Sequence, residues 1–209
     1  MAFNGWPADA LEFYEGLEAD NSKTYWTAHK AVYDRHVLAP ARALMEDLAG
    51  EFGEPRIFRP YRDLRFSNDK TPYKTNIGGM LGATCYLHFS ADGLAAGNGL
   101  YQMGSDQLAR YRAAIASDTA GEQLAALIAE LDKEGIAVLG TGTLKTAPRG
   151  YPADHPRIDL LRHKGIYAWR AWPVQPWLET PQAKDELLSF FRTTHGFSSW
   201  LVEHVTGLT

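Results

Sequence analysis

The chain has 209 residues, is 45% apolar and carries a formal net charge of −4, with an isoelectric point near 6.0. That length suits one domain that buries roughly 70% of its unfolded surface, and the acidic balance argues against a broad nucleic-acid footprint. The chain has no run of eighteen apolar residues, no signal-peptide pattern and only one cysteine, Cys85. We therefore expect a cytoplasmic protein without a membrane span or an internal disulfide.

Helical periodicity dominates the first fifty residues. The pattern predicts a first helix after Pro7, a second one capped by Ser22, and a third one that begins at Pro40 and ends at Gly53. Apolar side chains recur on one face of each of these helices.

The next stretch, Arg56 to Lys74, reads RIFRPYRDLRFSNDKTPYK and carries six cations against two acids, or +4, so the rest of the chain sums to −8. Apolar residues alternate with polar ones from Asp63 to Ser67, which predicts a strand with one wet face. The turn-forming residues that follow, up to Pro72, predict an ordered loop at the end of that strand.

Three arrangements of the six cations are open at this point. The arginines brace the core while pairing with nearby acids, or several converge in a cleft that binds an anion through guanidinium forks, or they contact a nucleic-acid backbone. Two cations about 4 Å apart repel by roughly 4 kcal/mol near a protein surface, so convergence requires a compensating negative charge.

A hairpin is predicted near residues 83–103, because two apolar runs flank Ala91-Asp92-Gly93 and Asp-Gly favours a tight turn. Gly97 and Gly99 lie in its second strand, which indicates a bulge or the close approach of another backbone or a ligand.

Helices and short strands alternate in the second half of the chain. A capping box from Thr119 to Glu122 predicts the start of the helix with the clearest apolar stripe. Short strands are predicted over 136–139, 142–145 and 166–172, and two helices close the sequence. Strands separated by helices, together with the hairpin, predict an α+β fold as a single compact domain over 1–209, with an antiparallel sheet packed against amphipathic helices.

A second charged segment runs from Lys145 to Lys164, and prolines shape its first half. If Arg149 and His155 of this segment face the loop after Phe66, the two charged segments share one cleft.

Four stretches resemble one family. The sequence YRDLRFSNDKTPYK from Tyr61 to Lys74 is similar to the signature of a widespread bacterial and fungal family known as a domain of unknown function. Three more blocks are similar to that family in the same order: 21–34, 99–115 and 144–168. The resemblance covers most of the chain and implies the fold unit, but it implies no mechanism.

No standard catalytic or metal-binding motif is present: the histidines lack metal-ligand spacing, and no cofactor is indicated. Asp63 and Asp69 are candidate catalytic carboxylates, although carboxylates among arginines remain ionised and more often orient those arginines. The candidate ligand-binding residues are Arg62, Arg65, Ser67, Lys70, Lys74, Arg149 and His155.

The sequence thus favours an α+β protein that binds a small phosphorylated or carboxylated ligand, with or without turnover. The alternatives are a protein-interaction module with structural arginines and a weak nucleic-acid association. The sequence indicates no oligomeric state.

Overall fold

The computed structural model describes residues 2–63, 65 and 70–207. The helices are α1 (Ala8–Ala19), α2 (Lys23–Val32), α3 (Ala39–Phe52), α4 (Ser105–Ala116), α5 (Asp118–Lys133), α6 (Ile158–Arg162), α7 (Gln182–Thr193) and α8 (His195–Leu201). The strands are β1 (Pro55–Ile57), β2 (Asn76–Leu81), β3 (Cys85–Ser90), β4 (Gly93–Leu100), β5 (Ala137–Thr141) and β6 (Gly165–Trp172). No helix in the described part of the chain is both long and apolar enough to cross a membrane.

The strands form a six-stranded sheet in the order β1-β2-β3-β4-β6-β5. Strand β2 pairs antiparallel with β1 and β3, and β5 pairs antiparallel with β6. The predicted hairpin corresponds to β3 and β4, which are joined by Ala91 and Asp92. The α+β class, with an antiparallel sheet and amphipathic helices, is confirmed.

The residues group into two compact units, Met1–Ala96 with Ala171–Ser189 and Gly97–Arg170 with Phe190–Thr209. Each unit combines distant stretches of the chain. The prediction of one domain over 1–209 stays a prediction.

The core of the first unit is rich in aromatic side chains. Trp6 stacks on Phe89 with ring centroids 4.5 Å apart, and both side chains are at most 2% exposed. Gly79 of β2 allows α3 to pack closely, because a Cβ there would lie 2.7 Å from the Cε of Met45. Cys85 is buried in this unit, as its apolar surroundings predict.

The core of the second unit packs α4 and α5 against α6 and α8. Tyr111 of α4 is fully buried and donates its hydroxyl to the carbonyl of Leu160, at 3.1 Å. Buried Asn98 of β4 donates to the hydroxyls of Thr194 and Ser198, at 2.9 and 3.1 Å. The buried side chains of Tyr111 and Asn98 are therefore hydrogen-bonded, as burial of a polar group requires.

The third helix predicted from Pro40 to Gly53 is present as α3, and no loop separates it from α2. The π-helical segment Tyr33–Leu38 joins them, and the N–H of Ala39 donates to the carbonyl of Asp34. Proline has no N–H, so the α-helical hydrogen bond that residue 40 would donate is missing. The wider π-helical turns of Tyr33–Leu38 lie just before Pro40 and accommodate the missing bond.

Three local predictions differ from the structure. Asp63 and Arg65 do not lie in a strand, and Leu64 and Phe66 of the same predicted strand lie outside the described residues. Residues 142–145 are also not a strand, since β5 ends at Thr141. The cap of α5 is Ser117, two residues before the predicted cap Thr119, and its hydroxyl accepts from the N–H of Ala120 at 3.5 Å.

Candidate functional site

Two arms of the basic stretch, residues 58–63 and 70–74, run antiparallel in the first unit. Tyr61 and Tyr73 form an isolated antiparallel bridge. The N–H of Arg62 donates to the carbonyl of Pro72 at 3.0 Å, and that of Lys74 donates to Pro60 at 2.7 Å. Both prolines act here only as acceptors, the one backbone role open to them. The two arms therefore have fixed positions without belonging to a regular strand.

One side of the arms packs on helix α2. The ring of Tyr73 stacks on Trp26 with centroids 4.3 Å apart, and Tyr61 lies 5.4 Å from Tyr73. The side chain of Asn21 holds Tyr73 by both backbone groups, since it donates to the carbonyl at 3.0 Å and accepts from the N–H at 3.1 Å. The Asn21 amide thus makes the two backbone hydrogen bonds that a neighbouring strand would otherwise make.

The opposite side of the arms carries cations around one aromatic ring. The Cζ of Arg56 and the Nζ of Lys74 each lie 5.3 Å from the ring centroid of Phe58, a distance at which a cation is attracted to the ring face. We call Arg56, Phe58 and Lys74, together with Arg59 and Arg62, whose charges act on Lys74, the basic face. Successive residues of an extended arm point to opposite sides, which separates Lys74 from Tyr73.

The positive charges of the basic face act on one another. Burial lowers the pKa of Lys74 first, and the charges of Arg59 and Arg62 lower it further. Within 2–63, 65 and 70–207, no carboxylate forms an ion pair with Arg56, Arg59 or Lys74. A net positive potential follows at this face.

Arg62 has a structural contact as well as a charge. Its Nε donates to the carbonyl of Tyr73 at 2.9 Å, which connects the two arms. Its guanidinium is therefore partly engaged in holding the segment together.

Arg65 pairs with the nearest acid. Its Nε lies 2.9 Å from Oδ1 of Asp63 and its Nη2 lies 2.6 Å from Oδ2, a bidentate geometry. These hydrogen bonds lower the pKa of Asp63, so this carboxylate remains ionised, which is the wrong state for a general acid. The ligand-binding role expected of Arg65 and the catalytic role expected of Asp63 both stay predictions.

The remaining candidates of this stretch divide by location. Ser67 and Asp69 lie outside the described residues, and Lys70 is exposed at the start of the second arm. Arg56, Phe58 and Arg59 are not among the ligand-binding residues predicted from the sequence. The spacing of Arg56 and Phe58, two apart at the end of a strand, is the signal that places them on one side.

Arg149 and His155 belong to the second unit. Arg149 is exposed in a turn, and Nδ1 of His155 accepts from the N–H of Arg157 at 3.0 Å. Arg157 in turn donates to the carbonyls of Ile115 and Ser117, at 2.7 and 3.1 Å, around the end of α4. The cleft shared by the two charged segments stays a prediction.

The second unit also contains a cavity of about 480 Å³, lined by Leu127, Glu130, Leu131, Lys133, Glu134, Thr193, Gly196 and Phe197. Two glutamates and one lysine line it, so its charge does not favour an anion. Among the described residues, no group of three or more His, Cys, Asp or Glu side chains has the geometry to hold a metal ion.

Comparison with known proteins identifies the family. The profile of a conserved hypothetical protein family, DUF2461, matches residues 9–200. The chain belongs to the DUF2461 family. The match includes both arms of the basic face and the charged segment of the second unit, so the resemblance seen in the sequence is confirmed at the level of the family.

The DUF2461 chain has few other matches. No curated protein matches its sequence. Among solved structures, a conserved hypothetical protein from Pyrococcus furiosus is similar over 82% of this chain and 96% of its own, with 11% identity and a TM-score of 0.38.

Proposed function

We propose that this DUF2461 protein binds a small anionic ligand, phosphorylated or carboxylated, at the basic face. The observation that carries the proposal is the position of Lys74, which lies over Phe58 near Arg59 and Arg62 and has no ion-pair partner among the described residues. A ligand anion would relieve the repulsion among these cations, and charge-assisted hydrogen bonds contribute about 1.5–3 kcal/mol each.

The cations of the basic face have different roles in this proposal. Lys74 and Arg59 supply charge to the ligand, whereas Arg62 also holds the two arms together through the Tyr73 carbonyl. Arg65 is already paired with Asp63 and would contribute only by exchanging that partner. The ligand site is therefore centred on Lys74 and Phe58 rather than on Arg65.

The alternative function, a protein-interaction module with structural arginines, is favoured by one specific observation. Both Arg62 and Arg65 make contacts within their own segment, with a backbone carbonyl and with Asp63. Under this alternative, removing the charge of Lys74 leaves the response to small anions unchanged.

The proposal is tested by heat denaturation with a panel of anions at constant ionic strength. The panel contains inorganic phosphate, citrate and ribose 5-phosphate, and the variants are Lys74→Met and the matched control Lys23→Met, at an exposed position of α2. We expect at least one anion to raise the melting temperature of the wild type and of Lys23→Met, because a ligand that binds only the native state stabilises it. For Lys74→Met we expect affinity to fall by about 10- to 100-fold. Equal shifts for both variants, or no shift with any anion, would overturn the proposal.

A further inference from the structure

Strand β5 is the last strand of the sheet and pairs only with β6. Its residues, AVLGT from Ala137 to Thr141, include no charged residue and no proline, and their pairing with β6 is regular, without a bulge. Apart from this pairing, no hydrogen bond within the described part of the chain reaches residues 137–140. The outer edge of β5 therefore offers unpaired backbone groups to another strand.

Strand β1, the first strand in the sheet order, differs from β5 in every feature that governs edge pairing. It has only three residues, and two of them are Pro55 and Arg56. Short length, proline and charge are features by which natural proteins prevent a sheet edge from pairing with another chain. All three are present in β1. Strand β5 is longer and has neither the proline nor the charge, so its edge is open to pairing.

One side of β5 carries an apolar stripe that continues onto β6. Leu139 pairs with Tyr167 across the two strands, so both side chains point to the same side of the sheet. Tyr101 lies beside Tyr167, with ring centroids 5.5 Å apart. Leu139 is 39% exposed and Tyr101 is 69% exposed. A chain that pairs with β5 would therefore cover apolar surface at Leu139 as well as the backbone groups of the edge.

The sequence of β5 is complementary to a second copy of itself. Side chains alternate between the two sides of a strand, so a symmetric antiparallel pair with both stripes on one side places Leu139 opposite residue 137, 139 or 141 of the other copy. Only the pairing of Leu139 with Leu139 uses all five residues of both strands. In this register Val138 lies opposite Gly140, so a branched side chain meets a residue without one, and no charges oppose each other.

We propose that two copies of the chain form a symmetric dimer by antiparallel pairing of their β5 strands, with Leu139 of one copy opposite Leu139 of the other. The contact uses the same edge of both copies, so the assembly ends at two chains. Because the strands are short, the interface lies at the small end of specific interfaces, and we expect a dissociation constant of about 1–100 µM. The dimer forms through the second unit and does not depend on anion binding at the basic face.

Charged residues at position 139 test the contact by sedimentation velocity over a range of about 1 to 500 µM protein. The variants are Leu139→Lys and Leu139→Glu, and the control is Val174→Lys, at a 46% exposed apolar residue of the first unit. We expect the wild type and the control to dimerise equally. Either charge at position 139 should raise the dissociation constant at least about tenfold, because like charges then face each other. An equimolar mixture of Leu139→Lys and Leu139→Glu should dimerise again, since opposite charges then meet.

A cysteine at position 139 tests the register with a smaller change. Directly opposite Cα atoms of an antiparallel pair lie about 4.5–5.5 Å apart, which is within the range that a disulfide spans. The native cysteine, Cys85, is buried and is the only one in the sequence. We therefore expect Leu139→Cys to form a disulfide-linked dimer on mild oxidation at least about tenfold faster than the control Val174→Cys.

Each remaining outcome contradicts the dimer or its register. A wild type that stays monomeric up to about 500 µM would overturn the proposal. A dimer whose dissociation constant is the same in Leu139→Lys would show that the two copies meet at another surface. Charge variants that stay monomeric when mixed, or equal oxidation rates for Leu139→Cys and Val174→Cys, would rule out the pairing of Leu139 with itself. Circular dichroism checks that each variant is folded, and the cysteine variant decides the proposal if a charge variant is not.

Discussion

A single glycine shows how closely two strands approach in the second unit. Gly99 has φ of +148°, and a Cβ built on it would lie 2.5 Å from the carbonyl oxygen of Ile166 and 2.6 Å from the Cα of Tyr167. The sequence predicted such an approach from the glycine in β4, and the partner is the backbone of β6. No side chain fits at this position without moving a strand.

Replacing this glycine is expected to be costly. We predict that Gly99→Ala destabilises the protein by about 2–4 kcal/mol, because the new methyl group clashes with backbone and the φ angle is unfavourable for alanine. Gly50→Ala, at an α3 position with nothing within 4 Å of the added Cβ, is the control, and it should stabilise by about 0.5 kcal/mol or more. Urea denaturation measures both. A loss below about 1 kcal/mol for Gly99→Ala would contradict the packing described.

At the scale of elements, helix starts depend on single hydroxyls. The hydroxyl of Ser22 accepts from the N–H of Tyr25 at 3.1 Å, which satisfies one of the free donors in the first turn of α2. We predict that Ser22→Ala lowers the free energy of unfolding by about 1 kcal/mol, whereas Ser22→Gly lowers it by only a few tenths. Chemical denaturation of the two variants is the measurement, and identical losses would show that the hydroxyl does not act as a cap.

Helix starts also show where sequence reasoning succeeds. The cap at Ser22 was predicted because the serine stands directly before an apolar stripe. The cap of α5 was misplaced, since Thr119 and Glu122 have the spacing of a capping box but Ser117 lies at the actual start. Serine and threonine are equally suitable caps, so propensity does not choose between Ser117 and Thr119. The end of α4 at Ala116 decides which of them caps α5.

At the scale of the whole molecule, burial of titratable groups sets the pH range of stability. Burial lowers the pKa of His88 and His163 below the ordinary 6.5. As the pH falls through 6.5, the unfolded chain therefore binds protons before the folded one, and stability is lost. Burial raises the pKa of Cys85 from 9.0 to about 11, so above pH 9 the unfolded thiol ionises first and stability is lost again.

We therefore predict maximal stability between about pH 6.5 and 9. The Cys85 thiol accounts for a loss of about 1 kcal/mol between pH 9 and 10, and Cys85→Ala should flatten this limb. The double variant His88→Gln, His163→Gln should flatten the acidic limb. Urea denaturation across the pH series tests both limbs, and an alkaline loss that persists unchanged in Cys85→Ala would assign it to other groups.

Much of the fold was predictable because its signals are local. The apolar stripes, the Asp92-Gly93 turn and the alternation over 166–172 depend on neighbouring residues, and the corresponding elements are present. The pairing of Asp63 with Arg65 is equally local, as the two residues are two positions apart.

The basic face was only partly predictable for the opposite reason. Lys74 and Arg56 both lie over the ring of Phe58, although they are eighteen positions apart in the sequence. The antiparallel course of the two arms brings them together, and that course depends on hydrogen bonds between backbone groups, which side-chain patterns do not encode.

The hydrogen bonds between Asn21 and Tyr73 connect the segment between α1 and α2 to the basic face. The side-chain amide of Asn21 binds both the carbonyl and the N–H of Tyr73, and the next residue is Lys74. Asn21 lies in the connection between α1 and α2, so this connection fixes the backbone next to Lys74.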